Sequence, residues 1–534
     1  MSFKMLVSIC AIAISFLVVR VLQRRSTLSK RLPYPPGPKR LPIVGNFFQI
    51  LSRYLWESAV EWGKEYGDLI YLENIGQRIL VVNSYEDAKE LLVRRSAITS
   101  SRPHFTMTID LEHWDWNTTF VPYGENFRKH RSHQQRFIGS PETLDYMDVQ
   151  LTRTRETMKA ILDDPEEYGA HIQSLPGSVI LLNVYGHQVE KNDPYVDIGK
   201  LGVYYTVNSQ SYLFLDVLPW LKFIPEWFPW VDFPRVAREA RKVAHAMRYE
   251  LYEPAKEKNA QGTLKECMMS MYLSENTRED GSILDEDSFS AAAATLYLGG
   301  VDTSNSALMT FFLQMLKNRE KQRLAQKEID EVVGTDRLPT FDDMDHLPYV
   351  RGVCAEILRM AVVLPLGKYF SQHRPLPQDS TSTIVISVPP HYTTEDDEYK
   401  GYLIPAGTII FANSWAMAFN PIYFPEPHEF KPERWLSQFD EKSCEGPRPN
   451  DFLFGFGRRA CPGQDWGEKM LFIAVVSTLA TFNIEPAIGE DGNPIAPNED
   501  YTPGFVRQLG PSKCKIAPRS PKAASLIENS VFSK

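Results

Sequence analysis

Phe454-Gly455-Phe456-Gly457-Arg458-Arg459-Ala460-Cys461-Pro462-Gly463 decides how this chain is read, because it sets one cysteine on a tight, glycine-bounded loop directly ahead of a helix. Pro462 suits a first helical position, and an apolar-periodic run over 464–482 follows it, so the sulfur of Cys461 is predicted at a helix N-terminus. There the helix dipole and the free N–H groups of Gly463 and Gln464 would favour the thiolate, the form in which cysteine binds a metal. Gly457 and Gly463 remove bulk so that a flat macrocycle can approach, and Arg459 offers a cation to an anionic edge. Phe, Gly, Arg, Cys and Gly meet at these five spacings by chance with a probability on the order of 10⁻⁴ at average residue frequencies. A buried structural cysteine in a glycine-rich turn is therefore the weaker reading.

The segment resembles the haem-binding loop of the cytochromes P450, the haem-thiolate monooxygenases. The resemblance implies a mainly α fold with a smaller β region and an N-terminal transmembrane anchor. It also implies haem b with the Cys461 thiolate as iron ligand and Phe454, Gly457, Arg459 and Gly463 around the porphyrin.

Composition agrees with a large folded protein and excludes several other classes. With 534 residues, 43% hydrophobic and 23% charged, the chain can bury an extensive core. A net charge of −9 and no basic stripe interleaved with aromatics argue against a nucleic-acid partner. The six cysteines, at 10, 267, 354, 444, 461 and 514, contain no C-x-x-C pair, against both a zinc site and a disulfide scaffold. The chain reads as reduced and cytosol-facing.

The N-terminus differs in kind. Residues 5–19 are mainly apolar, with Lys4 before them and Arg20, Arg24, Arg25, Lys30 and Arg31 after them. Charge after the apolar run, without a small-residue cleavage site, predicts a retained signal anchor over 1–31 with everything beyond Arg20 cytosolic. A stiff Pro33-Tyr34-Pro35-Pro36-Gly37-Pro38 hinge (32–41) then leads into a catalytic domain over 42–515. Short strands are expected near 69–73 and 78–83, long helices across 141–330, a strand-rich part near 402–412, and a peripheral tail over 516–534. Residues 368–387 break the family pattern with a polar, proline-containing insert. Gly367-Lys368-Tyr369 and Ser387-Val388 can be encoded with splice-donor-like and acceptor-like sequences, so the insert is compatible with a translated intron as well as with a surface loop.

Residues 291–312 read as a long apolar helix interrupted by Gly299-Gly300-Val301-Asp302-Thr303-Ser304. Gly299 and Thr303 are four apart with Asp302 adjacent, so an acid and a hydroxyl share one face beside a gap and can deliver protons. In the family this motif serves O2 activation, which makes Asp302 and Thr303 the catalytic candidates. Glu356-Ile357-Leu358-Arg359 is an ordinary ion-pair spacing by itself. By resemblance it joins Arg434 of Pro432-Glu433-Arg434-Trp435 in a buried structural network. Phe127-Arg128-Lys129-His130-Arg131 is similar to the family's W-R-x-x-R. Phe127 stands where tryptophan supplies an N–H, so only Arg131 is carried over as a cofactor contact. His391 resembles the propionate-binding position, with His373 and Arg374 as competitors.

By position, 105–116, Leu298, 362–364 and Phe505 are expected to line the substrate pocket. The aromatic stretch 213–233 is expected to dip into a membrane surface. Asn117-Thr118-Thr119 is a glycosylation sequon that should stay unmodified in the cytosol.

The resemblance thus implies a membrane-bound monooxygenase oxidising an apolar small molecule with O2. Electrons would come from NADPH-cytochrome P450 reductase at the endoplasmic reticulum. The 393–402 stretch and the Pro-Glu-Arg-Trp version look most like fungal members of secondary metabolism, of the O-methylsterigmatocystin oxidoreductase type. A haem-thiolate isomerase or dehydratase would use the same cysteine without O2, and the insert leaves room for an inactive haem-binding member.

Overall fold

The computed structural model describes residues 32–42, 44–50, 54–74, 76–139, 146–190, 192–366, 389–438, 446–501 and 506–532. The expected anchor over 1–31, the insert, His373, Arg374, Phe505, Cys10 and Cys444 lie outside the described residues. The architecture is mainly helical with a small β region. Its centre is the helix Glu286–Lys317, which is apolar around most of its circumference because it is surrounded. It packs on the helices Tyr168–Tyr185, Glu125–Ile138, Pro348–Ala361 and Gln464–Thr481.

Gly299-Gly300 does not interrupt this helix, which runs through both residues without a break. A Cβ on Gly300 would overlap the side chain of Ile180, so that glycine lets the helix Tyr168–Tyr185 come close. A Cβ on Gly299 would meet nothing within 4 Å, so that glycine leaves open space.

Four strands form the main sheet in the order Leu69–Asn74, Gln77–Val82, Thr408–Ala412, His391–Tyr392, near the ranges expected. The first pair is antiparallel, the second parallel and the third antiparallel, with Leu80 opposite Ile410 and Ile410 opposite His391. The register carries His391 from the far side of the insert onto the sheet beside the body. The proline-rich segment is extended, as its composition dictates, and packs on this sheet. Tyr34 stacks on Tyr71 at 5.0 Å, and Tyr71 N–H donates to Pro36 O.

The segment expected as a peripheral tail is part of the packed body. Cys514–Pro518 pairs antiparallel with Phe482–Pro486. The helix Pro521–Phe532 buries Ile527 completely and rests on the helix Tyr146–Asp163. Apolar residues at 523 and 527 share one face at four-residue spacing, a signal that terminal position obscured.

Among the described residues no helix is long and apolar enough to cross a membrane. The 213–233 stretch forms short helical turns that bury Leu215 and Phe233 but leave Phe223, Trp227 and Trp230 at 78%, 79% and 99% exposure.

Candidate functional site

The cysteine loop closes on itself through a bond from Cys461 N–H to Phe454 O at 2.7 Å. Gly455 and Gly457 have φ of +79° and +55°, left-handed values that favour glycine. A Cβ on Gly457 would also overlap the carbonyl oxygen of Leu92. The helix starts at Gln464 with Gly463 as its N-cap, so Pro462 belongs to the preceding turn and not to the first helical position. Cys461 lines a cavity of about 410 Å³, and its exposure is to that cavity. Burial pushes the thiol up, opposed by the Gly463 N–H and by nearby Arg131. Desolvation and the helix-terminal donor thus act on the sulfur in opposite directions, and a cation bound to it favours the thiolate.

Three guanidinium groups line the same cavity, and none pairs with a carboxylate among the described residues. Arg459 donates to Ser100 O, Thr118 O and Val121 O at 2.7, 3.3 and 2.7 Å, and lies 3.7 Å from the centre of the Phe127 ring. Phe127 thus meets a cation with its face where an indole would have offered a donor. Arg102 donates to Thr119 O and Pro390 O. Burial lowers Arg102 to about 9; burial and the charges of Arg102 and Arg131 lower Arg459 to about 8. Burial likewise pulls Arg131 down. His391 lies against Thr99 O at 3.1 Å and falls to about 3 through burial and the Arg102 charge. Such a concentration of buried positive charge is unfavourable unless an anion enters. The sulfur, the glycine-lined approach and these cations together fit an iron porphyrin carrying two carboxylates.

Over this site, Thr303 Oγ1 donates to Gly299 O at 2.9 Å. Asp302 also lines the cavity. Burial raises its carboxyl, against a hydrogen bond from Gln508 and the charge of Lys200. Outside the cavity lining, Arg359 donates to Glu356 at 2.9 and 2.7 Å, and Arg434 Nε donates to the same carboxylate at 3.1 Å. Trp435 Nε1 adds a further donor at 2.9 Å, and Lys431 N–H another at 3.0 Å. Glu356 and Arg359 are fully buried.

The sequence model of the cytochrome P450 family matches residues 35–376 and 382–516. The chain is 33% identical over 506 residues to the cytochrome P450 monooxygenase COX2 of Coprinopsis cinerea, covering 94% of this chain and 92% of that protein. It is 34% identical over 526 residues to the cytochrome P450 monooxygenase 105 of Postia placenta, covering 97% and 96%. A third relative, the cytochrome P450 monooxygenase ple1 of Rhodocybe pseudopiperita, is 33% identical over 506 residues, covering 94% and 92%.

The chain belongs to the cytochrome P450 family.

Cytochromes P450 are haem-thiolate monooxygenases that use O2 and a redox partner, and this chain is a monooxygenase. Of the expected cofactor and relay residues, Phe454, Gly463, Cys461, Arg459, Arg131, His391, Asp302 and Thr303 line one cavity, joined by Leu298, Val363 and Leu364. Gly457 supports the loop from behind, against Leu92. Glu356, Arg359 and Arg434 stand apart as a buried network. Residues 105–116 do not line the cavity: Phe105 and Trp114 are core, and the lining passes from Arg102 to Asn117. Val362 is likewise core, and Val506 lines the cavity next to the position expected for Phe505. Asn117 is fully buried, which by itself bars a glycan. Arg102 and Gln508 were not anticipated. A Ser100-Ser101-Arg102-Pro103 string offered a weak hint of the first, and only the tertiary fold reveals the second.

Proposed function

We propose that this cytochrome P450 oxidises an apolar small molecule of fungal secondary metabolism, at the endoplasmic reticulum membrane, with electrons from NADPH-cytochrome P450 reductase. The observation that carries the reading is one cavity holding Cys461, the uncompensated Arg102, Arg131 and Arg459, and an apolar wall of Ile180, Val184, Val203, Leu298, Ala307 and Val506. Cys461 would bind the haem iron through its sulfur, and the three arginines with His391 would hold the propionates. When bound, the haem iron supplies the two-electron activation of O2 that converts R–H, O2, NADPH and H⁺ to R–OH, water and NADP⁺.

The chain's own groups manage protons and water. Asp302, whose carboxyl burial raises, exchanges protons with the solvent side, where Lys200 stands. The Thr303 hydroxyl donates to Gly299 O and presents its lone pairs to the open space beside that glycine. Apolar walls exclude bulk water from the reacting carbon. Support for the membrane comes from Phe223, Trp227 and Trp230, aromatic side chains suited to a lipid interface. The relatives, cytochrome P450 monooxygenases of fungi, support the fungal part of this reading.

The test is Thr303→Ala in the haem-loaded enzyme with reductase. Haem content stays constant while peroxide released per NADPH rises several-fold. Unchanged partition between peroxide and other products contradicts the assigned relay.

A further inference from the structure

The wall of the cavity is apolar along Ile180, Val184 and Val203 but polar where the helix Glu125–Ile138 packs on the helix Glu286–Lys317. Asn117, Thr118, Gln134 and Thr295 all line the cavity, and hydrogen bonds tie them into one cluster. Thr118 N–H donates to Thr295 Oγ1 at 3.1 Å, and Thr295 Oγ1 donates to Ala291 O at 2.8 Å, with a longer contact of 3.5 Å to Asn117 Oδ1. Thr118 Oγ1 lies 3.1 Å from His130 Nδ1 and 3.3 Å from Thr295 Oγ1, and it accepts from Gln134 Nε2 at 3.3 Å.

Two atoms of the cluster are left over. Asn117 and Gln134 are 0% and 1% exposed, yet Asn117 Nδ2 and Gln134 Oε1 have no hydrogen-bond partner among the described residues. Backbone groups fix which end of each amide is spare. Asn117 Oδ1 accepts from Thr119 N–H at 2.9 Å, and Gln134 Nε2 donates to Ala292 O at 3.4 Å. Turning either amide over would set donor against donor or acceptor against acceptor. The wall thus offers one unspent donor and one unspent acceptor, each unfavourable to bury unpaired. A hydrocarbon satisfies neither. A carbonyl oxygen satisfies Asn117 alone, and an ionised carboxylate, a haem propionate included, is repelled by Gln134 Oε1. A hydroxyl satisfies both, accepting from Asn117 Nδ2 and donating to Gln134 Oε1.

We propose that Asn117 and Gln134 form a hydroxyl-binding subsite and that the substrate is an apolar skeleton already carrying an alcohol. The proposal rests on the apolar-substrate reading above and makes it narrower: an alcohol-forming reaction precedes this one. Water has the same hydrogen-bonding capacity, so the test separates a substrate hydroxyl from a resident water. Asn183 Nδ2 is also without a partner, but it stands on the helix Tyr168–Tyr185 with Ile180 and Val184, and no hydrogen bond joins it to the cluster among the described residues.

The experiment titrates the full-length, haem-loaded ferric protein with two series of ligands: decalin, 2-decalone and 2-decalol, and cyclododecane, cyclododecanone and cyclododecanol. Kd is read from the Soret shift on binding. Wild type is compared with Gln134→Met, Asn117→Ser and Asn183→Leu, the serine keeping an oxygen for Thr119 N–H. Ratios of Kd within one series, compared between proteins, cancel the free energy of taking each ligand out of water. Gln134→Met is expected to weaken the alcohol about tenfold relative to the hydrocarbon while the ketone ratio stays constant. Asn117→Ser weakens alcohol and ketone alike, and Asn183→Leu alters neither ratio. Ratios unchanged in both Gln134→Met and Asn117→Ser overturn the subsite and leave the pair to a resident water. An alcohol preference lost only in Asn183→Leu places the hydroxyl elsewhere and overturns it too. If no member of either series binds wild type, the apolar-substrate reading fails and this inference with it. Should one of the two cluster variants not take up haem, the other is held to the same outcomes.

Discussion

Gly457 shows how narrowly single residues shape the site. Its φ of +55° disfavours any L side chain, and a Cβ would collide with Leu92 O, a backbone atom that cannot swing away. Gly457→Ala is therefore expected to displace the cysteine loop and lower haem retained per chain, measured by absorbance after gel filtration; full retention would show that the loop has slack.

Histidines give a second residue-scale prediction. His391 and His130 are lowered by burial to about 3 and about 4, from an ordinary value of 6.5. The unfolded chain accepts protons below that value that the folded chain refuses, so stability is full above pH 6.5 and falls as pH drops toward 4. Propionates beside His391 would raise it. The melting temperature of the haem-free protein should thus fall more steeply with acid than that of the loaded protein, and parallel slopes would place the propionates elsewhere. Cys461 and Arg459 were legible in the sequence because loop, glycine and helix signals lie within ten residues of each other. Arg102 was not, since its meaning depends on Pro390, brought to it by the sheet.

Among elements, the helix Pro348–Ala361 and the turn Pro432–Gln438 are joined through one carboxylate. Glu356 accepts from Arg359, Arg434, Trp435 and the Lys431 backbone, all in a buried setting. Removing it leaves two guanidinium groups without their counter-charge, so Glu356→Ala should cost about 3–5 kcal/mol. Chemical denaturation of the haem-free chain reads this directly, and a loss under about 1 kcal/mol would mean the cations find other partners. The E-x-x-R spacing predicted the ion pair, but Trp435 as a donor to it was not predicted, because a tryptophan after Pro-Glu-Arg reads equally well as core. The Gly299-Gly300 pair was similarly half legible. Sequence pointed to a need for small residues, yet only packing separates the two: Gly300 admits Ile180, and Gly299 leaves space in the cavity. The terminal helix was misjudged because its apolar face is short and its partner lies more than 350 residues earlier in the chain.

At the scale of the whole molecule, the exposed aromatics of the 219–230 region give an apolar surface on one side. If it meets a lipid surface, a chain lacking residues 1–31 should float with neutral phosphatidylcholine vesicles at low and high salt, and Trp227→Asp with Trp230→Asp should abolish flotation. Flotation that persists in the double variant would assign membrane contact to another face. The helical body and the small sheet followed from periodicity and from the family motif, whereas the docking of the C-terminal segment onto the central helix required long-range geometry.

On the proposed reading this body presents Cys461 to haem iron. The most direct measurement is the carbon monoxide difference spectrum of the dithionite-reduced protein. Wild type is predicted to show the red-shifted Soret band of thiolate ligation, and Cys461→Ala to lose it. Retention of that band in Cys461→Ala, or its absence from haem-loaded wild type, would mean that Cys461 is not the iron ligand.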